Sequence, residues 1–307
     1  MQSKPIRIGT RGSKLALIQA RETRRRLMAA LELAEDAFEI VVITTTGDRI
    51  RDRPLSEIGG KGLFTKEIEE ALFENRIDLA VHSAKDMPTT LPDGLGLTAY
   101  LPREDVRDAF ISPKAKTLED LPKGAVVGSS SLRRAALVRS LRPDIEVIQF
   151  RGNVDTRLQK LEDGVADATL LAYAGLRRME LEHTVTSLLD PDSFVPAVAQ
   201  GANCIESRLD DTQTLDRVAT LNHHDTELRV MAERAFLHAL DGSCRTPIAG
   251  HAVLNGSDVH LNALIVRPDG SETHRTSRTG AASDGQRLGR DAGLELKAKG
   301  GPDFFVD

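Results

Sequence analysis

Strand and helix alternate along residues 6–82, and the same alternation starts afresh at residue 125. In the first pass, Ile6 to Gly9 reads as a strand, Thr10 to Lys14 as a turn and Leu15 to Leu33 as a helix with apolar residues at helical spacing. Glu39 to Thr44 is a β-branched strand, Thr65 to Glu74 a helix, and Asp78 to His82 a further strand. In the second pass, strand Ala125 to Gly128, turn Ser129 to Ser131 and helix Leu132 to Leu141 are followed by strand Glu146 to Phe150. A helix around Thr156 to Leu161 and a strand from Asp167 to Leu171 complete it. Such alternation implies mainly parallel sheets, whose ligands bind beyond the carboxyl ends of the strands. Laying Asp78-Leu79-Ala80-Val81 over Asp167-Ala168-Thr169-Leu170 also sets Leu72 over Leu161, a weak internal repeat.

At 307 residues the chain exceeds one ordinary core. Leu91 to Asp108, rich in Pro and Gly, reads as a linker. After Pro196-Ala197-Val198-Ala199-Gln200-Gly201 comes a long helical stretch from about Asp225 to Leu240. Ala252 to Leu254 and Val259 to Val266 then form a hairpin around Asn255-Gly256, and Asp284 to Lys299 a final helix. The expected fold class is α/β, with two α/β domains around a cleft and a small α+β C-terminal domain. The expected domains are 1–98 plus 197–218, 99–196, and 219–307. With 40% hydrophobic and 28% charged residues and a net charge of -5, general nucleic-acid binding is not expected. No apolar run approaches a bilayer span and no signal-peptide core follows Met1, so a cytoplasmic protein is expected.

Arginine-bearing turns stand just after strands: Thr10-Arg11-Gly12-Ser13, Ser129-Ser130-Ser131-Leu132-Arg133-Arg134 and Arg151-Gly152-Asn153-Val154-Asp155-Thr156-Arg157, with Arg177-Arg178 closing a fourth. Serine hydroxyls and helix-start amides beside guanidiniums make anion sites, and arginine suits bidentate grip on carboxylates. The cleft is therefore expected to bind a polyanion. Lys85-Asp86 follows a strand, and Met87-Pro88 turns the chain away from helix. A carboxylate there can stabilise a developing cation and accept a proton. Cys244, in Leu240-Asp241-Gly242-Ser243-Cys244-Arg245-Thr246-Pro247, sits beside a cation that favours thiolate, although a packed thiol stays open on local sequence alone. Gly59-Gly60-Lys61-Gly62 lacks Walker spacing and reads as a flap. His223-His224 and two cysteines forty positions apart lack ligand spacing, so no metal is expected.

Together, Ile8-Gly9-Thr10-Arg11-Gly12-Ser13, Gly59 to Phe64, Val81-His82-Ser83-Ala84-Lys85-Asp86, Gly128 to Arg134, Arg151-Gly152-Asn153-Val154 and Cys244 closely resemble the hydroxymethylbilane synthase, or porphobilinogen deaminase, family. The resemblance runs from about Ile6 to Leu296. It implies a three-domain fold, the first two domains like periplasmic binding proteins and the third holding the cysteine. It implies head-to-tail joining of four porphobilinogen units with loss of ammonia, and release of 1-hydroxymethylbilane by water. It also implies a dipyrromethane cofactor, thioether-linked to Cys244, as primer.

Carried over residue by residue, Asp86 matches the catalytic aspartate, expected to hold pyrrole nitrogens and to steady an azafulvenium cation. Lys85, Ser129, Arg133 and Arg134, with Asp86, match cofactor contacts. Arg11, Ser13, Arg151, Arg157 and Arg178 match contacts to the substrate and the growing linear polypyrrole. The implied partners are porphobilinogen and that chain, with no nucleic acid or membrane, and the implied state is monomeric. The chain departs from the family at Lys14 and Ile18, often Pro and Trp, at Ala199, usually glycine, and at Ser243 and Arg245, often Gly and Gln. Cys204 has no matching role and reads as a packed thiol.

Two other readings compete. A non-catalytic anion-binding or sensing module shares paired α/β domains, but an export signal and a DNA-binding segment are not visible. A cysteine hydrolase using Cys244 with His238 or His251 lacks a nucleophile motif and has no use for the arginines.

Overall fold

The computed structural model describes residues 4–49, 64–242 and 246–305. In chain order the elements are β1 (Ile6–Arg11), α1 (Lys14–Leu31), β2 (Phe38–Ile43), α2 (Thr46–Arg49), α3 (Lys66–Phe73), β3 (Leu79–Ser83) and β4 (Leu95–Tyr100). There follow β5 (Asp108–Ile111), β6 (Val126–Gly128), α4 (Leu132–Leu141), β7 (Glu146–Ile148), α5 (Val154–Glu162), β8 (Ala168–Ala172), α6 (Tyr173–Arg178) and β9 (Ser187–Leu188). The chain continues through β10 (Asn203–Arg208), α7 (Thr212–Ala219), α8 (His224–Ala239), β11 (Ile248–Asn255), β12 (Asp258–Val266), β13 (Thr273–Ala281) and α9 (Gly285–Gly300). It divides into two compact units, one of Met1–Arg103 with Ala202–Glu227 and one of Glu104–Gly201 with Leu228–Asp307.

The first unit is a sheet of order β2-β1-β3-β10-β4. Strands β2, β1 and β3 run parallel, while β10 pairs antiparallel with both β3 and β4. The parallel strands are apolar because both faces are covered: Ile6, Ile8, Leu79 and Val81 pack into one core, Ile43, Ala80 and Ile77 into another. Ser13 starts α1 by accepting the Ala16 amide at 3.3 Å, which satisfies an amide that has no partner within the helix. The Pro- and Gly-rich stretch 91–108 is not simply a linker, since its Leu95–Tyr100 segment is the edge strand β4. Glycine and proline around a short strand hide it from composition.

The second unit repeats this plan. Its five-stranded sheet has order β7-β6-β8-β5-β9, with β7, β6 and β8 parallel and β5 antiparallel to both β8 and β9. A three-stranded antiparallel sheet, β11-β12-β13, shares a core with it, in which Phe110, Val127 and Leu170 pack with Ala249, Leu264 and Val266. Ser131 caps α4, accepting the Arg134 amide at 3.4 Å, and Asn153 caps α5, accepting the Thr156 amide at 2.9 Å. Gly9 and Gly128 hold matching places on β1 and β6, each opposite the second residue of the next parallel strand. A Cβ at Gly9 would lie 2.3 Å from Ile77, and one at Gly128 2.4 Å from Phe150, so neither strand tolerates a side chain there.

Candidate active site

In the first unit a cavity opens at the carboxyl ends of β1 and β3, lined by Arg11, Ser13, Gln19, His82, Ser83 and Asp86, among others. Asp86 ends the short 3-10 turn Ala84–Asp86 that leaves β3, and the Ala84 amide ties this turn to the Ala202 carbonyl at 2.9 Å. The Asp86 carboxylate is exposed and makes no hydrogen bond or ion pair among the described residues. No described residue pairs with it, so its charge is left to the cavity it lines. Lys85, beside it, is half-buried.

Arg11 reaches the same cavity. Its Nε lies 3.2 Å from both oxygens of Asp48, Nη2 donates to Oδ1, and the guanidinium stacks 4.1 Å from the Phe64 ring centroid. Burial alone would push the Asp48 carboxyl up; the Arg11 hydrogen bonds and the Thr45 hydroxyl at 2.8 Å outweigh it and hold the group below its ordinary value. The amide of Gln19 donates to Ser83 Oγ and Asn203 Oδ1, each at 2.9 Å, which locks one side of the cavity.

The second unit concentrates positive charge. Asp108, at the start of β5, is fully buried between two arginines of α4. Arg133 Nη2 donates to one oxygen at 2.7 Å. Arg134 meets the other through Nε at 2.9 Å and Nη2 at 2.7 Å. Gln200 Nε2 adds a bond to Asp108 at 3.0 Å. Burial opposes ionisation of Asp108, but the two guanidiniums prevail and hold its carboxyl at about 2. The remaining reach of the pair goes to carbonyls, Arg133 to Val195 at 2.9 Å and Arg134 to Leu170 at 3.1 Å.

Arg134, Arg151 and Arg157 share one field here, and of the three Arg134 is the one paired with Asp108. Burial first, then the charges of Arg134 and Arg151, pull Arg157 down to about 10. Arg157 Nε donates to the Gly152 carbonyl at 2.9 Å. Arg151 Nη1 and Arg133 Nε are buried with no hydrogen-bond partner among the described residues. Donors without partners among the described residues and mutually repelling cations leave this cluster short of negative charge. Arg178 Nη2 donates to the Gly201 carbonyl at 3.1 Å.

Of the residues expected from sequence, Arg11, Ser13 and Asp86 share the cavity of the first unit, while Arg134, Arg151 and Arg157 share one electrostatic field in the second. Ser129 is buried with its hydroxyl turned back to accept the Ser131 amide at 3.2 Å. Cys244, Ser243, Arg245 and the Gly59–Gly62 loop lie outside the described residues. Cys204 is buried on β10, its Sγ 3.8 Å from the His82 carbonyl. Sequence reasoning named Ser131 and His82 only within motifs, without a role of their own, and gave Asp108 and Gln19 none. A serine directly before the helical run Leu132–Leu141 was the readable signal for Ser131 as a helix cap. Asp108 carried none, because its partners lie 25 and 26 residues away.

Comparison with known proteins places this arrangement. Residues 6–216 match the family model described as "Porphobilinogen deaminase, dipyromethane cofactor binding domain", and residues 227–298 match "Porphobilinogen deaminase, C-terminal domain". A curated porphobilinogen deaminase of Paracoccus denitrificans is 59% identical over 301 residues, covering 98% of this chain and 96% of that protein. Among solved structures, a putative methionine-binding lipoprotein of Bacillus subtilis aligns at TM-score 0.44 and 13% identity, over 73% of this chain and 92% of that one. An arginine-specific periplasmic binding protein of Salmonella typhimurium aligns at 0.41 and 11%, over 71% and 92%. With both family models matched in chain order and more than half of its residues shared with a curated member along nearly its whole length, the chain belongs to the porphobilinogen deaminase family.

Proposed function

We propose that this chain is a hydroxymethylbilane synthase that joins four porphobilinogen molecules head to tail, with loss of ammonia from each, and that Asp86 is its catalytic residue. The observation that carries this reading is the exposed Asp86 carboxylate, without a partner among the described residues, in one cavity with Arg11 and Ser13. The dipyrromethane named in the family description fits the donor set of the second unit, where Arg151 and Arg133 each keep a buried guanidinium nitrogen without a partner among the described residues. When bound through Cys244, that group supplies the pyrrole carbon that primes chain growth.

The chain's own residues supply the rest. Asp86 accepts pyrrole N–H groups and faces the positive charge that develops as ammonia leaves the substrate, an electrostatic contribution that is large where water is scarce. Arg11, Ser13, Arg151, Arg157 and Arg178 bind carboxylates of the substrate and the growing linear polypyrrole. Lys85, Ser129, Arg133 and Arg134 hold the cofactor's side. Arg133 and Arg134 act mainly through their field, since Asp108 and two carbonyls already take most of their donors. Division into domains 1–98 plus 197–218, 99–196 and 219–307, a monomeric state and a cytoplasmic location belong to the same reading. No helix among the described residues is long and apolar enough to cross a membrane.

Intact mass of the purified protein beside Cys244→Ser tests the attachment, and ammonia release from porphobilinogen tests the activity. An added mass in the natural chain alone, together with ammonia release, is expected. An unmodified protein inactive after incubation with porphobilinogen or preformed hydroxymethylbilane would favour the anion-binding reading.

A further inference from the structure

We propose that His82 is the proton acceptor of this site and that Glu206 is the residue that positions it. His82 lies on β3, four residues before Asp86, and lines the same cavity as Asp86, Arg11 and Ser13. Its imidazole is almost wholly buried, and Nε2 stands 3.0 Å from Glu206 Oε2. Glu206 lies on β10, opposite Ala80 of β3, so the antiparallel register brings the two side chains together. The Glu206 carboxylate is fully buried, and its second oxygen has no hydrogen-bond partner among the described residues.

A buried carboxylate with one available donor keeps that donor, because an uncompensated charge in this environment costs several kcal/mol. Glu206 therefore holds the proton on Nε2 and selects the tautomer with a lone pair on Nδ1. Nδ1 itself makes no hydrogen bond among the described residues. The other charged groups near the imidazole are Glu69 from α3, Arg11 from β1 and Asp86 from the turn after β3. Burial and, less strongly, the charge of Glu206 push the Glu69 carboxyl up, and Glu206 is the carboxylate in hydrogen-bond contact with the ring.

The reaction proposed above needs such a group, and this inference rests on that reading. Each addition forms a bond between the substrate methylene carbon and a ring carbon, breaks the carbon–nitrogen bond to ammonia, and leaves the ring carbon holding one hydrogen too many. His82 Nδ1 takes that proton: the C–H bond breaks, its electron pair restores the aromatic ring, and the resulting imidazolium is balanced by Glu206. The released ammonia then carries the proton away as ammonium, which resets the imidazole. Asp86 is thereby left to steady the cation, and imidazole suits proton transfer near neutral pH better than a carboxylate does.

The test uses the full-length protein. Nitrogen-15 NMR of histidine-labelled protein, with His82 assigned through the backbone, is expected to show Nε2 protonated and Nδ1 bare, and Glu206→Gln is expected to shift that tautomer. In turnover of porphobilinogen, His82→Gln is expected to lower kcat by about 100-fold or more with KM changed less than about 2-fold. Deuterium at the free ring carbon of the substrate is expected to slow His82→Gln more than the natural protein. A proton on Nδ1 in the natural protein, or His82→Gln turning over within about 2-fold of it, overturns the proposal. A natural protein that releases no ammonia instead refutes the reading of function, and the tautomer measurement still decides the geometry.

Discussion

Arg133 and Asp108 meet at 2.7 Å with side chains 4% and 0% exposed, and Arg134 closes on the second carboxylate oxygen at the same distance. Two cations of one helix turn are thus anchored inside the second unit by a single anion from a neighbouring strand. The arrangement stores a large dependence of stability on that anion.

Asp108→Asn is expected to cost about 3–5 kcal/mol, since it strands two buried guanidiniums. The acid limb should change with it. The carboxyl is held at about 2 against an ordinary 3.8. A value lowered by folding contributes stability that is complete above the unfolded value and is lost as pH falls through the folded one, here about 2 kcal/mol between roughly pH 5 and pH 2. Urea unfolding at pH 7, 4 and 2.5 checks both points: the natural chain should lose more than Asp108→Asn does on acidification.

Ala199 carries a left-handed backbone, φ 59°. Its amide donates to the buried Glu233 at 2.6 Å, and the next residue, Gln200, reaches Asp108. Left-handed backbone costs an alanine about 1 kcal/mol or more, and glycine avoids it at some loss of unfolded-state restriction. Ala199→Gly is expected to raise stability by about 0.5–1 kcal/mol, read as a rise in Tm of about 1–3 °C. An unchanged or lower Tm contradicts the assignment of strain.

Asp86 contributes no contact to the fold among the described residues. Asp86→Asn should therefore unfold within about 0.5 kcal/mol of the natural chain while ammonia release falls by about 100-fold or more. Near-normal turnover would remove Asp86 from the catalytic role.

Arg157 sits where burial and two like charges disfavour its cation, at about 10. Removing the charge relieves that cost in the empty protein and deprives a carboxylate ligand of its partner. Arg157→Gln is expected to be as stable as the natural chain or more so, with kcat/KM for porphobilinogen lower by about tenfold or more, in line with a charge-assisted hydrogen bond. Denaturant unfolding and steady-state kinetics on one preparation read both effects, and a variant that is less stable yet fully active would reverse the argument.

The internal repeat was faint in sequence and plain in structure. Asp78 and Asp167 precede the central strands β3 and β8, and each makes the same pair of bonds. The Asp78 amide donates to the Arg7 carbonyl at 2.9 Å and its carboxylate accepts the Arg7 amide at 2.7 Å. The Asp167 amide donates to the Val126 carbonyl at 2.8 Å and its carboxylate accepts the Val126 amide at 2.7 Å. The overlay of Asp78 on Asp167 was therefore enough to align the two halves. The strands that sequence missed are β4, β5, β9, β10 and β13. They are short, flanked by turn residues, or, like Thr273–Ala281, polar on both faces, so no period-2 apolar signal marks them.

The amino-acid sequence by itself determined the alternation of elements, the helix start after Ser131, and the motifs that identify the family, because each of these is set by neighbours within a few residues. Tertiary structure alone decided which side chains meet. Asp108 finds its arginines 25 and 26 residues on, Glu206 reaches His82 across 124 residues, and Gln19 joins Asn203 across 184. Those pairings depend on strand order and register, which bring distant segments together to cover apolar faces, and no local pattern encodes them.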